Sequence, residues 1–135
     1  MGNAADRFLQ LFEGYGKAHG QTAVLDRARH GKTQAKYQIV HEPLTVELVQ
    51  SHLDGKLGVG SIPIDEQSKC SFGALAIDDY NLDLPALLEK VKRFKLPLVM
   101  CRSKSGGAHL FLFLSEKIAA AEVRDRLAEF ASVLG

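Results

Sequence analysis

Phe72–Asn81, FGALAIDDYN, is a run of apolar and small residues that ends on two adjacent carboxylates, Asp78 and Asp79. Further on, Arg102–His109, RSKSGGAH, gathers two cations, two serines, a Gly-Gly pair and a histidine. Carboxylates at a strand end suit Mg²⁺ or Mn²⁺, hard cations that take oxygen ligands. A glycine turn flanked by Arg102 and Lys104 suits an anion, because backbone amides and cationic side chains converge on it. The two together point to chemistry on phosphates.

Spacing limits what the carboxylates do. Alternate residues of a strand share a face. Asp78 therefore faces the same way as Ala76 and Ala74, while Asp79 turns the other way with Ile77. Both aspartates reach one metal only where the strand ends or bends between them. An Asp-x-Asp pair would deliver two carboxylates to one face, but this chain has Ala76-Ile77-Asp78. In the second segment Ser103, Ser105, Gly106 and Gly107 make the turn. His109 falls early in the next strand, with Leu110 and Leu112 on the opposite face. Most Ser-Gly-Gly turns only close hairpins, and most single histidines at strand starts are structural. The order strand–Asp, helix, strand–Arg-Ser-x-Ser-Gly-Gly-x-His is what singles out nucleotide phosphates.

These residues need elements to hold them. Residues 4–18 read as a helix whose stripe Phe8, Leu11, Phe12, Tyr15 faces a core. Residues 19–36 have weak periodicity and carry Arg27, Arg29, His30, Lys32 and Lys36; they read as a mobile basic loop, either a solvated connector or a contact for nucleic-acid phosphates. KYQIV reads as a short strand and TVELVQSHL as a helix capped by Thr45. LGVGSIPI and CSFGALAI, separated by the polar DEQSK, read as an antiparallel hairpin. Asp83 caps a helix with Pro85 in its first turn and Leu84, Leu87, Leu88, Val91 and Phe94 on its apolar face. Its basic end, Lys90 to Lys95, reads as a solvated helix terminus. LPLVMCR is a buried strand and AHLFLFL the next. Ser115 caps a last helix through Val123, Leu127, Phe130 and Leu134.

From residue 71 the order is strand, helix, strand, strand, helix. That is the βαββα part of an α+β, ferredoxin- or RRM-like split-βαβ sheet. A whole unit has one more strand, so either an N-terminal strand fills that place or, the favoured expectation, the core is truncated before it. The length of 135 residues suits one domain, with residues 1–44 as N-terminal helix and basic loop and 45–135 as core. A net charge of +1 neither favours nor excludes nucleic acid, since local basic patches survive in a neutral total. No apolar run is long enough for a bilayer, and MGNAADRFLQ lacks a signal-peptide core, so a cytoplasmic protein without membrane contact is expected. Asp6 stands where a myristoylation pattern wants Ser or Thr. Cys70 and Cys101 read as reduced and partly buried, and neither has a zinc-ligand spacing with His41 or His52, so no zinc is expected.

Residues 73–114, GALAIDDYNLDLPALLEKVKRFKLPLVMCRSKSGGAHLFLFL, resemble the catalytic core of archaeo-eukaryotic primases, in particular the primase domains of TOTE conflict systems and related bacterial and phage primase-polymerases. The upstream HLDGKLGVGSIPI is also similar. The resemblance is good over 45–135 and loose before that, and RSKSGGAHLFLF is its most specific part. It implies metal-dependent nucleotidyl transfer from an NTP or dNTP on a single-stranded template, with two Mg²⁺ or Mn²⁺ ions and a companion helicase. By position it implies that Asp78 is the second metal aspartate and that Asp79 substitutes only where the strand bends. It makes His109 the phosphate-contacting histidine within a nucleotide loop of Arg102, Ser103, Lys104, Ser105, Gly106 and Gly107, and it leaves Arg27, Arg29, Lys32 and Lys36 for nucleic acid. The first metal aspartate falls on Ala76. The resemblance therefore implies an impaired or inactive enzyme, or else a non-catalytic module that binds nucleotide or nucleic acid. A third alternative is a metal nuclease or phosphotransferase that recruits Asp79 or Asp83.

Overall fold

The computed structural model describes residues 3–27, 33–79, 81–103 and 106–135, with backbone only at 24–27 and 33–35. The chain divides into two compact units, Met1–Ser68 and Lys69–Gly135. Among the described residues there are four helices and two three-stranded antiparallel sheets, a mixed α+β fold. No described helix is long and apolar enough to cross a membrane.

In the first unit, helix α1 (Ala4–Leu11) starts at a capping box in which the Asn3 side chain accepts from the Asp6 amide and the Asp6 carboxylate accepts from the Asn3 amide. It is much shorter than the expected helix over 4–18. Gly14 and Gly16 follow, each costing a helix about 1 kcal/mol relative to alanine, and the Tyr15 amide leaves to bond the Ile62 carbonyl at 2.7 Å. Phe8 and Leu11 stay exposed, so the large-residue stripe is not the core face; Ala5 is the buried residue.

Residues 19–27 and 33–36 are strand, not the expected loop. Strand β1 (His19–Arg27) pairs antiparallel with β2 (Thr33–Val40), His19 opposite Val40 and Thr22 opposite Tyr37. The alternation is hidden because one face carries His19, Gln21 and Ala23 and the other Gly20 and Thr22, neither of them a plain apolar set. His19 is buried and fully used. Its Nδ1 donates to the Glu42 carbonyl at 2.8 Å, which leaves Nε2 to accept from the Gln21 amide at 2.9 Å. Helix α2 (Val46–Leu53) begins at Thr45, whose hydroxyl accepts from the Leu48 amide.

The expected hairpin of LGVGSIPI with CSFGALAI does not form. Strand β3 (Gly58–Gly60) pairs with β1, while β4 (Lys69–Ile77) joins the second sheet. Gly58 and Gly60 lie opposite Thr22 and Gly20, where a short, nearly side-chain-free edge fits against β1.

In the second unit, β4 is followed by α3 (Leu84–Arg93), β5 (Val99–Arg102), β6 (Ala108–Ala119) and α4 (Ala120–Leu134). The strand, helix, strand, strand, helix order expected from residue 71 is present, and β6 lies between β4 and β5. One sheet face carries Leu75, Ile77, Ala108, Leu110 and Leu112, packed against Leu87 and Val91 of α3 and Val123, Leu127 and Leu134 of α4. Ala108 and Leu110 are fully buried there. Gly73 lets α4 lie close, since a Cβ would come within 2.8 Å of both Leu127 and Val123. The last helix starts later than expected. Ser115 lies within β6, held there by the pairs Cys70–Ile118 and Lys69–Ala119, and Ala119 caps α4 without a side-chain bond.

At α3 the Asp83 carboxylate accepts from the Ala86 amide at 3.0 Å and Pro85 occupies the first turn. The helix ends on Lys95 at φ 53°, with the Leu96 amide bonded back to the Val91 carbonyl. Asp83→Ala should cost about 1 kcal/mol of stability, as an N-cap does. Urea unfolding monitored on the whole chain would show it as a lower midpoint, and an unchanged midpoint would deny the cap its role.

Candidate nucleotide site

Strand β6 carries His109 between its neighbours. Ala76 of β4 is its partner on one side and Cys101 of β5 on the other. Directly opposed residues project to one face with Cβ atoms about 4.5–5.5 Å apart. Ala76, His109 and Cys101 therefore form a row across the sheet face away from the helices, and all three are exposed. Behind it runs a second row, Ala74, Phe111 and Val99. The Phe111 ring meets the imidazole edge-on at 6.1 Å between centroids and orients it.

The hairpin that presents His109 closes between Ser103 and Gly107. The Ser103 amide bonds the Gly107 carbonyl at 3.0 Å, and the Gly106 amide bonds the Ser103 carbonyl at 3.2 Å. Gly106 has φ 97°, which favours glycine. Gly107 is buried, and a side chain there would strike the Ile77 carbonyl oxygen. The turn is thus locked to the end of β4. Two of its amides are spent inside the turn, so an anion there relies on side chains and the remaining amides. Lys104 and Ser105 lie outside the described residues.

The acidic residues separate. Asp78 lies just past the end of β4 and is exposed. Asp79 lines a cavity on the helix side with Leu75, Ile77, Leu82, Asp83 and Leu134, and its carboxylate accepts from the Asn81 amide at 3.0 Å. Asp83 caps α3. Among the described residues no three His, Cys, Asp or Glu side chains cluster as metal ligands. A two-ion site needs several converging carboxylates, and the donor set here does not fit one.

Arg102 is exposed and pairs with Ala108, so it leaves the sheet on the face opposite His109, at the strand end. Lys36 is exposed on β2. Arg29, His30 and Lys32 lie outside the described residues, and of Arg27 only the backbone, the last residue of β1, is described. Both cysteines are free; Cys70 is buried but Cys101 is exposed, not partly buried as expected. Its place beside His109 is not among the sequence expectations. The signal for it lies in the turn, because a hairpin closed by Ser103 and Gly107 pairs residue 102 with 108 and 101 with 109.

No match was found among curated proteins. The model of the TOTE conflict system archaeo-eukaryotic primase domain matches residues 9–132, which include both units and every residue of the His109 row. With nearly the whole length matched, the chain belongs to the archaeo-eukaryotic primase domain family of TOTE conflict systems.

Proposed function

We propose that this primase-family domain recognises the triphosphate of an incoming NTP or dNTP through His109 but is impaired in nucleotidyl transfer, because the position directly opposite that histidine carries no carboxylate and Asp78 is left without its partner. The observation that carries the reading is the pairing of Ala76 with His109. A methyl group occupies the place from which an Asp-x-Asp pair would serve a phosphate held by the imidazole. The sheet order, with α3 crossing between the parallel strands β4 and β5, fits the split-βαβ, RRM-like half of such a core.

In this reading His109 donates a hydrogen bond to phosphate, while the exposed Arg102 adds positive charge at the end of β5 and Lys104 is assigned the same role. The exposed Asp78 is the one carboxylate near the row that serves no cap or turn among the described residues, and it would be joined by Mg²⁺ or Mn²⁺ in a complete relative. Arg27, Arg29, Lys32 and Lys36 engage a single-stranded template, and a helicase working with the parent protein supplies it. The reaction of the active lineage is attack of a 3′-hydroxyl on the α-phosphorus with release of pyrophosphate. A second reading, a purely binding module, is favoured by the lack of a ligand cluster among the described residues. The nuclease alternative gains no support, since Asp79 and Asp83 spend carboxylate oxygens on backbone amides.

The test is triphosphate affinity in His109→Ala, read by titration of a fluorescent ATP analogue. Loss of a hydrogen bond to a charged group is worth about 1.5–3 kcal/mol, so affinity should fall about 10- to 100-fold. Equal affinity in the parent and the variant would remove the basis of the proposal.

A further inference from the structure

Among the described residues Tyr37 is the most exposed of the large apolar side chains, at 64%. It stands on β2, an edge strand of the first unit's sheet, directly opposite Thr22. We infer that the Tyr37 ring is a stacking platform for a base of single-stranded nucleic acid, whose phosphates are drawn to the β1–β2 hairpin by its cations. This rests on the proposed template contact of Arg27, Arg29, Lys32 and Lys36.

Two observations support it. The first is the seat of the ring. Pairing across the sheet puts Gly20, Thr22, Tyr37, Ile39, Gly58 and Gly60 on one face. A Cβ on Gly20 would stand 2.8 Å from the Tyr37 hydroxyl oxygen, 3.0 Å from Cε2 and 3.2 Å from Cζ, so the ring lies across that glycine. Beside it the floor is bare: a Cβ on Gly60 would meet only the Gly20 Cα, at 3.9 Å. A ring that covers a strand glycine can be structural on its own account. This one is seated on one side and still mostly open to solvent, which is what a base needs, and every base has a π-face to offer it.

The second is charge. Residues 19–40 hold Arg27, Arg29, Lys32 and Lys36 against the single acid Asp26. Register decides where one of these cations falls. Between the pairs Val24–Ala35 and Arg27–Thr33, β1 has one residue more than β2. Without that bulge, alternation would put position 27 on the face of Gln21. With it, position 27 comes opposite Thr33, which shares the face of Tyr37. Lys36 leaves by the other face, but it is exposed on the edge strand, and its charge acts over roughly 8–10 Å without contact. A polyanion with free bases fits both features. A duplex, whose bases are already stacked, fits only the second.

Fluorescence anisotropy of a labelled oligothymidylate on the whole chain tests this. Tyr37→Leu still covers Gly20 but has no π-face. It should bind at least about fivefold more weakly, the loss expected for one stacked base, with unchanged salt dependence, while Tyr37→Phe binds like the parent. Lys36→Gln should instead lower the salt slope by about one. An abasic oligomer of the same length should bind the parent no better than oligothymidylate binds Tyr37→Leu. If Lys36→Gln lowers the slope but Tyr37→Leu binds at parental strength, the inference fails and the template contact stands. If oligothymidylate does not bind the parent at all, both fail. Should Tyr37→Leu not fold, the abasic comparison on the parent decides, and equal affinity for the two oligomers overturns the inference.

Discussion

Replacing Ala76 with aspartate is expected to raise primer extension with Mn²⁺ by at least about 100-fold over the chain as it stands, the size of effect that one key electrostatic group has on a transition state. Position 76 can take the carboxylate. Its side chain is exposed, on the face away from the helices, so an added charge stays solvated and displaces nothing in the core. The fold should lose less than about 1 kcal/mol, the span of β-propensity. The introduced carboxylate and that of Asp78 would then have the Asp-x-Asp spacing, with the introduced one directly opposite His109. Ala76→Asn is the matched control: it has the same shape without the charge and should give no gain. A folded, ATP-binding Ala76→Asp variant that extends no primer would favour the non-catalytic module. Cleavage of nucleic acid without nucleotide addition would favour the nuclease alternative.

Gly107→Ala should damage both stability and nucleotide binding. A Cβ at 107 would collide with the Ile77 carbonyl oxygen, lie 3.0 Å from the Ile77 carbonyl carbon, and lie 3.3 Å from the Ser103 hydroxyl. The first two are backbone atoms of the neighbouring strand and cannot rotate away. Either the turn or the end of β4 must move. Forced overpacking of this kind costs about 1–3 kcal/mol, occasionally more. The movement separates Asp78 from the hairpin that presents His109, and a misplacement of about 1 Å can cost on the order of 100-fold in function. Urea unfolding and ATP titration on the same variant would measure both effects. Gly16→Ala is the contrast, because nothing lies within 4 Å of a Cβ there; it should change stability by no more than about 0.5 kcal/mol. If Gly107→Ala behaved like Gly16→Ala, the close approach of turn and strand would have no energetic weight.

The missing carboxylate at Ala76 is readable from the spacing of Ala76-Ile77-Asp78 alone, because strand periodicity is local. What the sequence does not contain is the partner of that strand. CSFGALAI is expected to pair with the preceding LGVGSIPI, a short connection away, yet it pairs with β6, and β3 pairs with β1. Turn-like residues such as DEQSK mark where a chain reverses without saying which strand it meets next. The same limit hides β1 and β2, whose alternation is polar on one face and glycine-rich on the other. It also hides the true start of α4, where pairing with Lys69 and Cys70 overrides a good capping residue at Ser115.

Read from the amino acids alone, this chain already shows its helix starts at Thr45 and Asp83, the apolar faces of α3 and α4, the divergence of Asp78 and Asp79, and the glycine turn before His109. All of these follow from side chains and backbone close together along the chain. Only the folded chain decides that Ala76 and Cys101 flank His109, that Arg102 leaves by the other face, and that Asp79 is engaged with the Asn81 amide. The first two are matters of register between strands distant in sequence, and register is settled by which faces the helices must bury.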